Sequence, residues 1–299
     1  MQNFDASHAN FGCAGLEDTR GNAGIAPRNH GILEIPIFWA RMQPTLSPPA
    51  IEFRDVSYEV DGTHVLRSLT LQVQRGEILA LLGRSGSGKT TTLKLVNRLL
   101  SPTSGEVRVN DAPNINADIT RLRRSIGYVI QDVGLFPHFT VARNIGIVPK
   151  IKGWPEPRIR ARVEELLQMA GLAPDLASRY PHQLSGGQRQ RVGVARALAA
   201  DPEILLMDEP FGALDPLTRD ELQREFLSLQ KKLSKTVVFV THDLREAMRL
   251  GSRIALMEAG KLVTILSPDE FVRSTDPWAA AYVKAFGDRL EPTATEGKS

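Results

Sequence analysis

Residues 77–90 read EILALLGRSGSGKT, and this stretch decides the class of fold. The short, mostly apolar run from Glu77 to Leu82 is typical of a buried parallel strand. A glycine-rich turn follows, and residues 89–100 have the composition of a helix closed by Ser101-Pro102. Because strands and helices continue to mix as far as residue 266, the sequence predicts an α/β protein.

The turn fits the pattern G-x-x-x-x-G-K-[ST] of a phosphate-binding loop, and it lies between a strand and a helix as that motif requires. Glycines let backbone N–H groups point at phosphate oxygens, and the helix N-terminus adds partial positive charge. Lys89 is suited to neutralise phosphate charge, and the Thr90 hydroxyl is suited to Mg²⁺. A glycine-rich turn without a ligand is the alternative. The predicted phosphate-binding residues are Gly83, Arg84, Ser85, Gly86, Ser87, Gly88, Lys89, Thr90 and Thr91.

An acidic pair ends a second apolar strand, since residues 204–210 read ILLMDEP. An aspartate that faces the phosphate loop from a buried strand can hold Mg²⁺ through water, which is the role predicted for Asp208. Glu209 is then placed to polarise an attacking water. A solvated helix start is the alternative, and the four preceding apolar residues and the following proline disfavour it.

Residues 184–188 read LSGGQ and precede a predicted helix. The Ser185 hydroxyl, the exposed N–H groups of the glycines and the helix dipole all favour an anion. This segment is a second candidate phosphate site, and its predicted ligand contacts are Ser185, Gly187 and Gln188. The sequence alone leaves the partner of this site open.

The three motifs, in this order, resemble the nucleotide-binding subunit of an ABC transporter, and the resemblance covers roughly residues 51–265. It implies a P-loop NTPase fold, in which a RecA-like core carries an antiparallel β subdomain and an inserted helical subdomain at about residues 132–195. It also implies ATP and Mg²⁺ as cofactors. Two copies would form a head-to-tail dimer, in which each ATP lies between the phosphate loop of one copy and the Ser185 region of the other.

Further matches extend the resemblance. Gln131 matches the family's glutamine loop, which contacts Mg²⁺ and senses the membrane partner, and residues 212–215 match its D-loop. His242 matches the switch histidine; taken alone it would more often be an ordinary loop histidine, and its spacing from Glu209 favours the switch role. The resemblance thus implies catalytic roles for Glu209, His242 and Gln131, and metal-binding roles for Thr90, Gln131 and Asp208. One match fails, because Val60 stands where the family stacks adenine on an aromatic residue.

The resemblance also implies partners. Integral membrane permease subunits would contact the apolar segment 135–139, whose alternative role is to form the insertion's own core. Short runs at residues 135–138, 148–150, 153–155 and 180–183 are similar to importers of quaternary-amine osmoprotectants such as glycine betaine or choline. Such an importer requires a separate substrate-binding protein, and its ATPase subunit lies on the cytoplasmic face of the cell membrane. Many members of that group carry a paired regulatory domain after the ATPase, and none is expected within these 299 residues.

The bulk composition fits this interpretation. The net charge of +3, from 37 basic and 34 acidic side chains, gives little support for a nucleic-acid partner. Cys13 is the single cysteine, which suits a reducing cytosol, and we find neither a secretory signal nor an apolar run of the roughly 18 residues that span a bilayer. The alternatives are the ATPase subunit of an exporter or of an importer of another solute, a soluble ABC ATPase acting on DNA or ribosomes, and an inactive regulator.

The ends of the chain differ from its centre. Residues 1–50 are rich in Gly, Asn, Ala and Pro, which predicts a largely unstructured extension. Because Met42 lies just before the first clear strand, we hypothesise that it is the true start. The ATPase domain is predicted to span residues 51–286, and the polar residues 287–299 are predicted to form a flexible tail.

Overall fold

The computed structural model describes residues 48–212 and 214–287 of the chain. Its strands are β1 (Ile51–Val60), β2 (Thr63–Val73), β3 (Ile78–Gly83), β4 (Ser104–Val109), β5 (Ala112–Pro113), β6 (Ile126–Val129), β7 (Ile204–Asp208), β8 (Thr236–Thr241), β9 (Arg253–Glu258) and β10 (Lys261–Leu266). Its α-helices are α1 (Lys89–Val96), α2 (Ile119–Ser125), α3 (Val141–Ile151), α4 (Glu156–Met169), α5 (Gly186–Leu198), α6 (Pro216–Leu233), α7 (Leu244–Leu250), α8 (Pro268–Val272) and α9 (Pro277–Gly287).

The larger sheet has six strands in the order β10-β9-β3-β8-β7-β6. The five strands from β9 to β6 are parallel, and β10 pairs antiparallel with β9. Both faces of this sheet are covered, so β7 and β8 are buried along their whole length, which explains their continuous apolar sequence. The predicted α/β class is therefore confirmed. The carboxyl ends of the parallel strands share one edge, where ligands bind in sheets of this kind.

The smaller sheet is antiparallel, with the order β2-β1-β4-β5, and it packs over one face of the larger sheet. Alternate residues of β3 show this layering. Leu79 and Leu81 join the core that contains Phe53 of β1, whereas Ala80 and Leu82 join a second core on the opposite face. Because successive strand residues point to opposite faces, the central sheet separates two apolar layers.

The segment between β6 and β7 is helical, with α3, α4 and α5 and two short 3₁₀ turns at Pro174–Ser178 and Pro181–Gln183. The two strands that flank it are nevertheless neighbours, since Ile126 pairs with Ile204. Side chains of these helices, among them Ile145 and Leu166, belong to the same core cluster as Phe239 of β8. The helices thus pack on the parallel sheet, and the boundaries 132–195 stay a prediction.

One predicted element ends early. The helix expected over residues 89–100 stops at Val96, because Asn97 leaves the helical region and Arg98 adopts a left-handed φ of 57°. The helix therefore ends before Ser101-Pro102, the dipeptide that was expected to close it. The hypothesis that Met42 is the true start lies outside the described residues, as do residues 1–47 of the predicted extension 1–50 and residues 288–299 of the predicted tail 287–299, whose first residue, Gly287, ends α9. Among the helices that the structure describes, none has the length and apolar character needed to cross a membrane.

Candidate functional site

The phosphate loop runs from the end of β3 into α1, and two of its glycines adopt a left-handed backbone. Gly88 caps α1 with a φ of 98°, and a Cβ there would lie 2.5 Å from Leu66 Cδ2. Gly86 has a φ of 80° in open space. Arg84, Ser85 and Gly86 are exposed, Gly83, Ser87, Gly88 and Lys89 are buried, and Thr90 and Thr91 are half-buried.

Lys89 folds back over the loop from the first residue of α1. Its Nζ donates hydrogen bonds to the carbonyl oxygens of Gly83 and Arg84 over 2.8 and 2.7 Å. Burial lowers the pKa of the Lys89 ammonium, and nearby carboxylates, chiefly that of Glu209, oppose this shift. The ammonium group is therefore held at the centre of the loop, where it can exchange backbone carbonyls for phosphate oxygens.

Thr90 and Asp208 bring two oxygens together at the carboxyl edge of the sheet. The Thr90 hydroxyl donates to Asp208 Oδ1 over 2.9 Å, and Asp208 is buried at the end of β7. Burial raises the pKa of Asp208, and the hydrogen bond from Thr90 opposes the rise. A hydroxyl and a carboxylate suit Mg²⁺, which takes few protein ligands and fills its octahedron with phosphate oxygens and water. Within the described residues, no cluster of three or more His, Cys, Asp or Glu side chains offers a denser metal site.

Glu209 and His242 face each other beside this pair. His242 Nδ1 lies 3.4 Å from Glu209 Oε2, and the side chain of His242 is 63% exposed against 25% for Glu209. Glu209 has a left-handed φ of 44°, and its N–H donates to Val240 O over 3.1 Å. A non-glycine residue in this conformation is strained, and such strain is typical of functional sites.

The other predicted site residues lie on the helical segment. Ser185 caps α5, its Oγ accepts from Gln188 N over 3.2 Å, and its own N–H donates to Gln188 Oε1 over 2.9 Å. This capping box engages Oε1 of Gln188, a residue that the sequence predicts to contact a ligand. The hydrogen bonds described for Ser185 all stay within the first turn of α5. Gly187 contacts α6 so closely that a Cβ there would lie 2.5 Å from Thr218 Cγ2.

Two further residues singled out in the sequence are Gln131, the predicted metal contact, and Val60, which stands where an aromatic residue was expected. Gln131 is exposed and follows β6, which ends beside β7 at the same edge as Asp208. Val60, at the end of β1, is 44% exposed, and the nearby Tyr58 packs partly against the core. The structure thus joins the phosphate loop, Asp208, Glu209 and His242 through contacts, and it keeps Ser185, Gly187 and Gln188 on a separate helix.

Sequence reasoning missed two residues beside His242. Thr241 and Glu246 are both buried, and Thr241 Oγ1 donates to Glu246 Oε2 over 2.6 Å. The available signal was an acidic residue on the buried face of α7, among Leu244, Ala247 and Leu250.

Comparison with known proteins identifies the family of the chain. A family model described as "ABC transporter" matches residues 66–212. The chain is 51% identical over 241 residues to the glycine betaine uptake system ATP-binding protein YehX of Escherichia coli (strain K12), covering 81% of this chain and 77% of that protein. The chain therefore belongs to the ABC transporter family, as one of its ATP-binding proteins.

Other relatives extend the comparison. The chain is 51% identical over 213 residues to the glycine betaine/carnitine/choline transport ATP-binding protein OpuCA of Bacillus subtilis (strain 168), covering 71% of this chain and 56% of that protein. It thus spans about half the length of several curated relatives that it matches. The dimeric structure of a post-hydrolysis state of the ATP-binding cassette MJ0796 bound to ADP and Pi is 34% identical with a TM-score of 0.67, covering 73% of this chain and 98% of that one. The predicted fold class and family are confirmed.

Proposed function

We propose that this chain hydrolyses ATP with Mg²⁺ at the carboxyl edge of the parallel sheet. The observation that carries the proposal is the convergence of the phosphate loop with Asp208, Glu209 and His242, three acid–base groups from the ends of β7 and β8. No other pair of described elements offers a phosphate loop and carboxylates in contact. A bound Mg²⁺ would neutralise phosphate charge and orient the γ-phosphate.

The residues of the chain would divide the work. Lys89 would exchange its bonds to the loop carbonyls for β- and γ-phosphate oxygens, and Thr90, Asp208 and Gln131 would hold Mg²⁺. Glu209 accepts hydrogen bonds from the attacking water and orients it. His242, 3.4 Å from Glu209, is exposed enough to reach the γ-phosphate. Positioning and charge stabilisation then supply most of the rate acceleration.

A second copy of the chain would complete the site. Ser185 Oγ accepts from the Gln188 N–H, which leaves its hydroxyl proton available to a phosphate oxygen. The N–H groups at the start of α5 and its dipole add to this anion site. Because no hydrogen bond within the described residues joins Ser185 to the phosphate loop of its own chain, we infer that the triphosphate it meets is the partner copy's. The dimeric relative with ADP and Pi supports this arrangement.

The transported solute is proposed from the relatives, whose names include glycine betaine, carnitine and choline. The chain would act on the cytoplasmic face of the cell membrane, with separate permease subunits and a substrate-binding protein. The segment 135–139 supports a permease contact in part, since Phe136 is 42% exposed whereas Leu135 packs against the core. We propose no nucleic-acid partner.

Glu209→Gln tests the catalytic site. We expect this variant to bind ATP, to form an ATP-dependent dimer in size-exclusion chromatography, and to lose about 100-fold or more of its hydrolysis rate, as removal of an essential catalytic group does. Glu164→Gln, an exposed carboxylate of α4, is the matched control and should hydrolyse at the parental rate. Parental turnover by Glu209→Gln would contradict the assigned role.

A mixing experiment tests the shared site. Lys89→Ala and Ser185→Ala chains should each be inactive alone. A mixed dimer keeps one site with an intact loop and an intact Ser185, so an equal mixture should recover roughly a quarter of parental hydrolysis if subunits assort freely. If each site lay within one chain, mixing would recover nothing.

Two measurements test the cargo. Deleting the gene should abolish uptake of labelled glycine betaine or choline under osmotic stress, and a plasmid carrying the parental chain should restore it. Uptake unchanged in the deletion strain would assign the transporter to another solute.

A further inference from the structure

Within residues 48–212 and 214–287, two acidic residues are buried, Asp208 and Glu246. Asp208 belongs to the nucleotide site described above. Glu246, in the first turn of α7, is not among the residues predicted for that site, although a buried carboxylate is costly unless its oxygens are bonded. The hydrogen-bond partners of Glu246 therefore indicate what its carboxylate contributes to the protein.

Both carboxylate oxygens of Glu246 are engaged. Oε2 accepts from Thr241 Oγ1 over 2.6 Å, and Oε1 accepts from Gln223 Nε2 over 3.3 Å. Arg219 Nε lies 3.9 Å from Oε1. Burial raises the pKa of Glu246, while the Thr241 hydroxyl and the Arg219 guanidinium oppose the rise. The carboxylate thus joins α7 to α6 and to the end of β8.

Thr241 carries this interaction to His242. Its hydroxyl has one proton, which goes to Glu246, so its lone pairs are free to accept. They accept from the backbone N–H of Asp243 over 3.0 Å, which closes a turn around His242. Glu246 therefore fixes the rotamer of Thr241, and Thr241 fixes the backbone on the far side of His242.

Arg219 extends the network to another part of the site. Its Nη2 donates to Leu214 O over 3.2 Å, and its Nη1 lies 3.8 Å from Asp243 Oδ2. Leu214 lies in the segment that follows Glu209 and precedes α6. One guanidinium thus contacts the backbone after Glu209 and the side chain after His242.

We propose that Glu246 and Thr241 are positioning residues that hold His242 against Glu209, and that Arg219 ties this arrangement to the segment at Leu214. The inference rests on the proposed hydrolytic function. Neither residue contacts the reacting atoms, so each acts through His242. The loss of either should slow hydrolysis without weakening the binding of ATP.

Thr241→Val and Thr241→Ser form the matched pair, measured on the full chain. Valine keeps the β-branched shape that suits β8 and removes the hydroxyl, whereas serine keeps the hydroxyl. We expect Thr241→Val to lower kcat about tenfold or more, because small misplacements of catalytic groups have large effects on rate. The Kd for ATP should stay within about twofold, and Thr241→Ser should restore most of kcat.

The same substitutions in a His242→Ala background separate positioning from general damage. If Thr241 acts through His242, Thr241→Val should cost nothing further there, since effects of residues that act as a unit are not additive. Glu246→Leu, which removes both acceptor oxygens, should behave like Thr241→Val, and it serves if the valine variant does not fold. The melting temperature of each variant is measured alongside.

Two outcomes would overturn the inference while leaving the function standing: parental kcat in both Thr241→Val and Glu246→Leu, or an equal further loss in the His242→Ala background. If the parental chain did not hydrolyse ATP in the presence of Mg²⁺, that result would instead contradict the proposed function.

Discussion

The Thr90 hydroxyl and the Asp208 carboxylate are joined over 2.9 Å, although 118 residues separate them in the chain. The hydrogen bond ties the first turn of α1 to the end of β7, and so to the strand that carries Glu209. Asp208 is buried, and its charge is compensated in part by Thr90 and by two lysines. This carboxylate is therefore held at a cost to the stability of the fold.

Asp208→Asn should stabilise the nucleotide-free protein. Because burial raises the pKa of Asp208 above 3.8, the native state binds its proton more tightly than the unfolded state does. The carboxylate thus lowers the free energy of unfolding as pH rises from below 3.8 through the folded-state pKa, and the full cost is present at pH 7. We expect Tm at pH 7 to rise by about 2 °C or more, since each kcal/mol gives about 2–4 °C.

Asp201→Asn is the control of opposite sign. The Lys235 ammonium lowers the pKa of Asp201, so its charge contributes stability above the unfolded pKa, and this contribution is lost as pH falls. The Asp201→Asn variant should not melt above the parent at pH 7. A lower Tm for Asp208→Asn than for the parent would show that burial does not dominate at this carboxylate.

Val60→Tyr should tighten the binding of nucleotide. Val60 is exposed at the end of β1, at the position where the resemblance to the family implies an aromatic ring against adenine, and aromatic stacking contributes about 0.5–1.5 kcal/mol. We expect the Kd for ATP, measured by calorimetry in a Glu209→Gln background, to fall about 2–10-fold. Val60→Leu adds apolar bulk without an aromatic face and should change the Kd little. Equal gains from leucine and tyrosine would argue against stacking at this position.

Gly88→Ala should destabilise the fold more than Gly86→Ala. Both glycines have left-handed φ values, which cost an alanine about 1–2 kcal/mol. Only the Gly88 Cβ meets other atoms, at 2.5 Å from Leu66 Cδ2 and 3.0 Å from Val65 O, and such overpacking adds about 1–3 kcal/mol. Urea unfolding of the two variants measures the difference. Equal losses in the free energy of unfolding would show that Leu66 moves aside freely.

Arg196→Lys should loosen the turn that follows Gln131. The Arg196 guanidinium donates to the carbonyls of Val133 and Gly134, each over 2.6 Å, and Val133 has a left-handed φ of 58° that is unfavourable for a β-branched residue. The ammonium group of lysine cannot donate to both carbonyls in the planar geometry of a guanidinium. We therefore expect the free energy of unfolding to fall by about 1–3 kcal/mol. Arg160→Lys, an exposed arginine of α4, is the control and should change it little. An unchanged free energy of unfolding in Arg196→Lys would show that the turn is stable without the two guanidinium hydrogen bonds.

The motifs predicted the class of fold because each pairs a local pattern with a fixed structural context. An apolar strand before a glycine loop allows few alternatives, and the family and the α/β class were confirmed. The pattern Ser185-x-x-Gln188 is also that of a capping box, so the engagement of Gln188 within α5 was readable from the sequence.

Other features were not readable in advance. The contact between Thr241 and Glu246 depends on how α7 turns back onto β8, and the bonds from Gln223 and Arg219 come from α6. The buried position of Glu246 could be read from the apolar face of α7, but no local pattern encodes its contacts with α6 and β8, because they arise only when three elements pack. The early end of α1 was not readable either: Arg98 adopts a left-handed φ of 57°, and its guanidinium donates to the carbonyls of Asn114 and Ala117, which lie further along the chain.

The position of β3 at the centre of the larger sheet bears on how the chain reaches its native state. Ile78 pairs with Val237, and Leu79 pairs with Arg253, so both neighbours of this apolar strand are encoded near the far end of the chain. At roughly 5–20 residues per second, the ribosome delivers them on the order of ten seconds or more after β3 emerges. The nascent chain therefore exposes an unpaired, strongly apolar strand during synthesis, and we expect its yield to depend on chaperones that shield such segments.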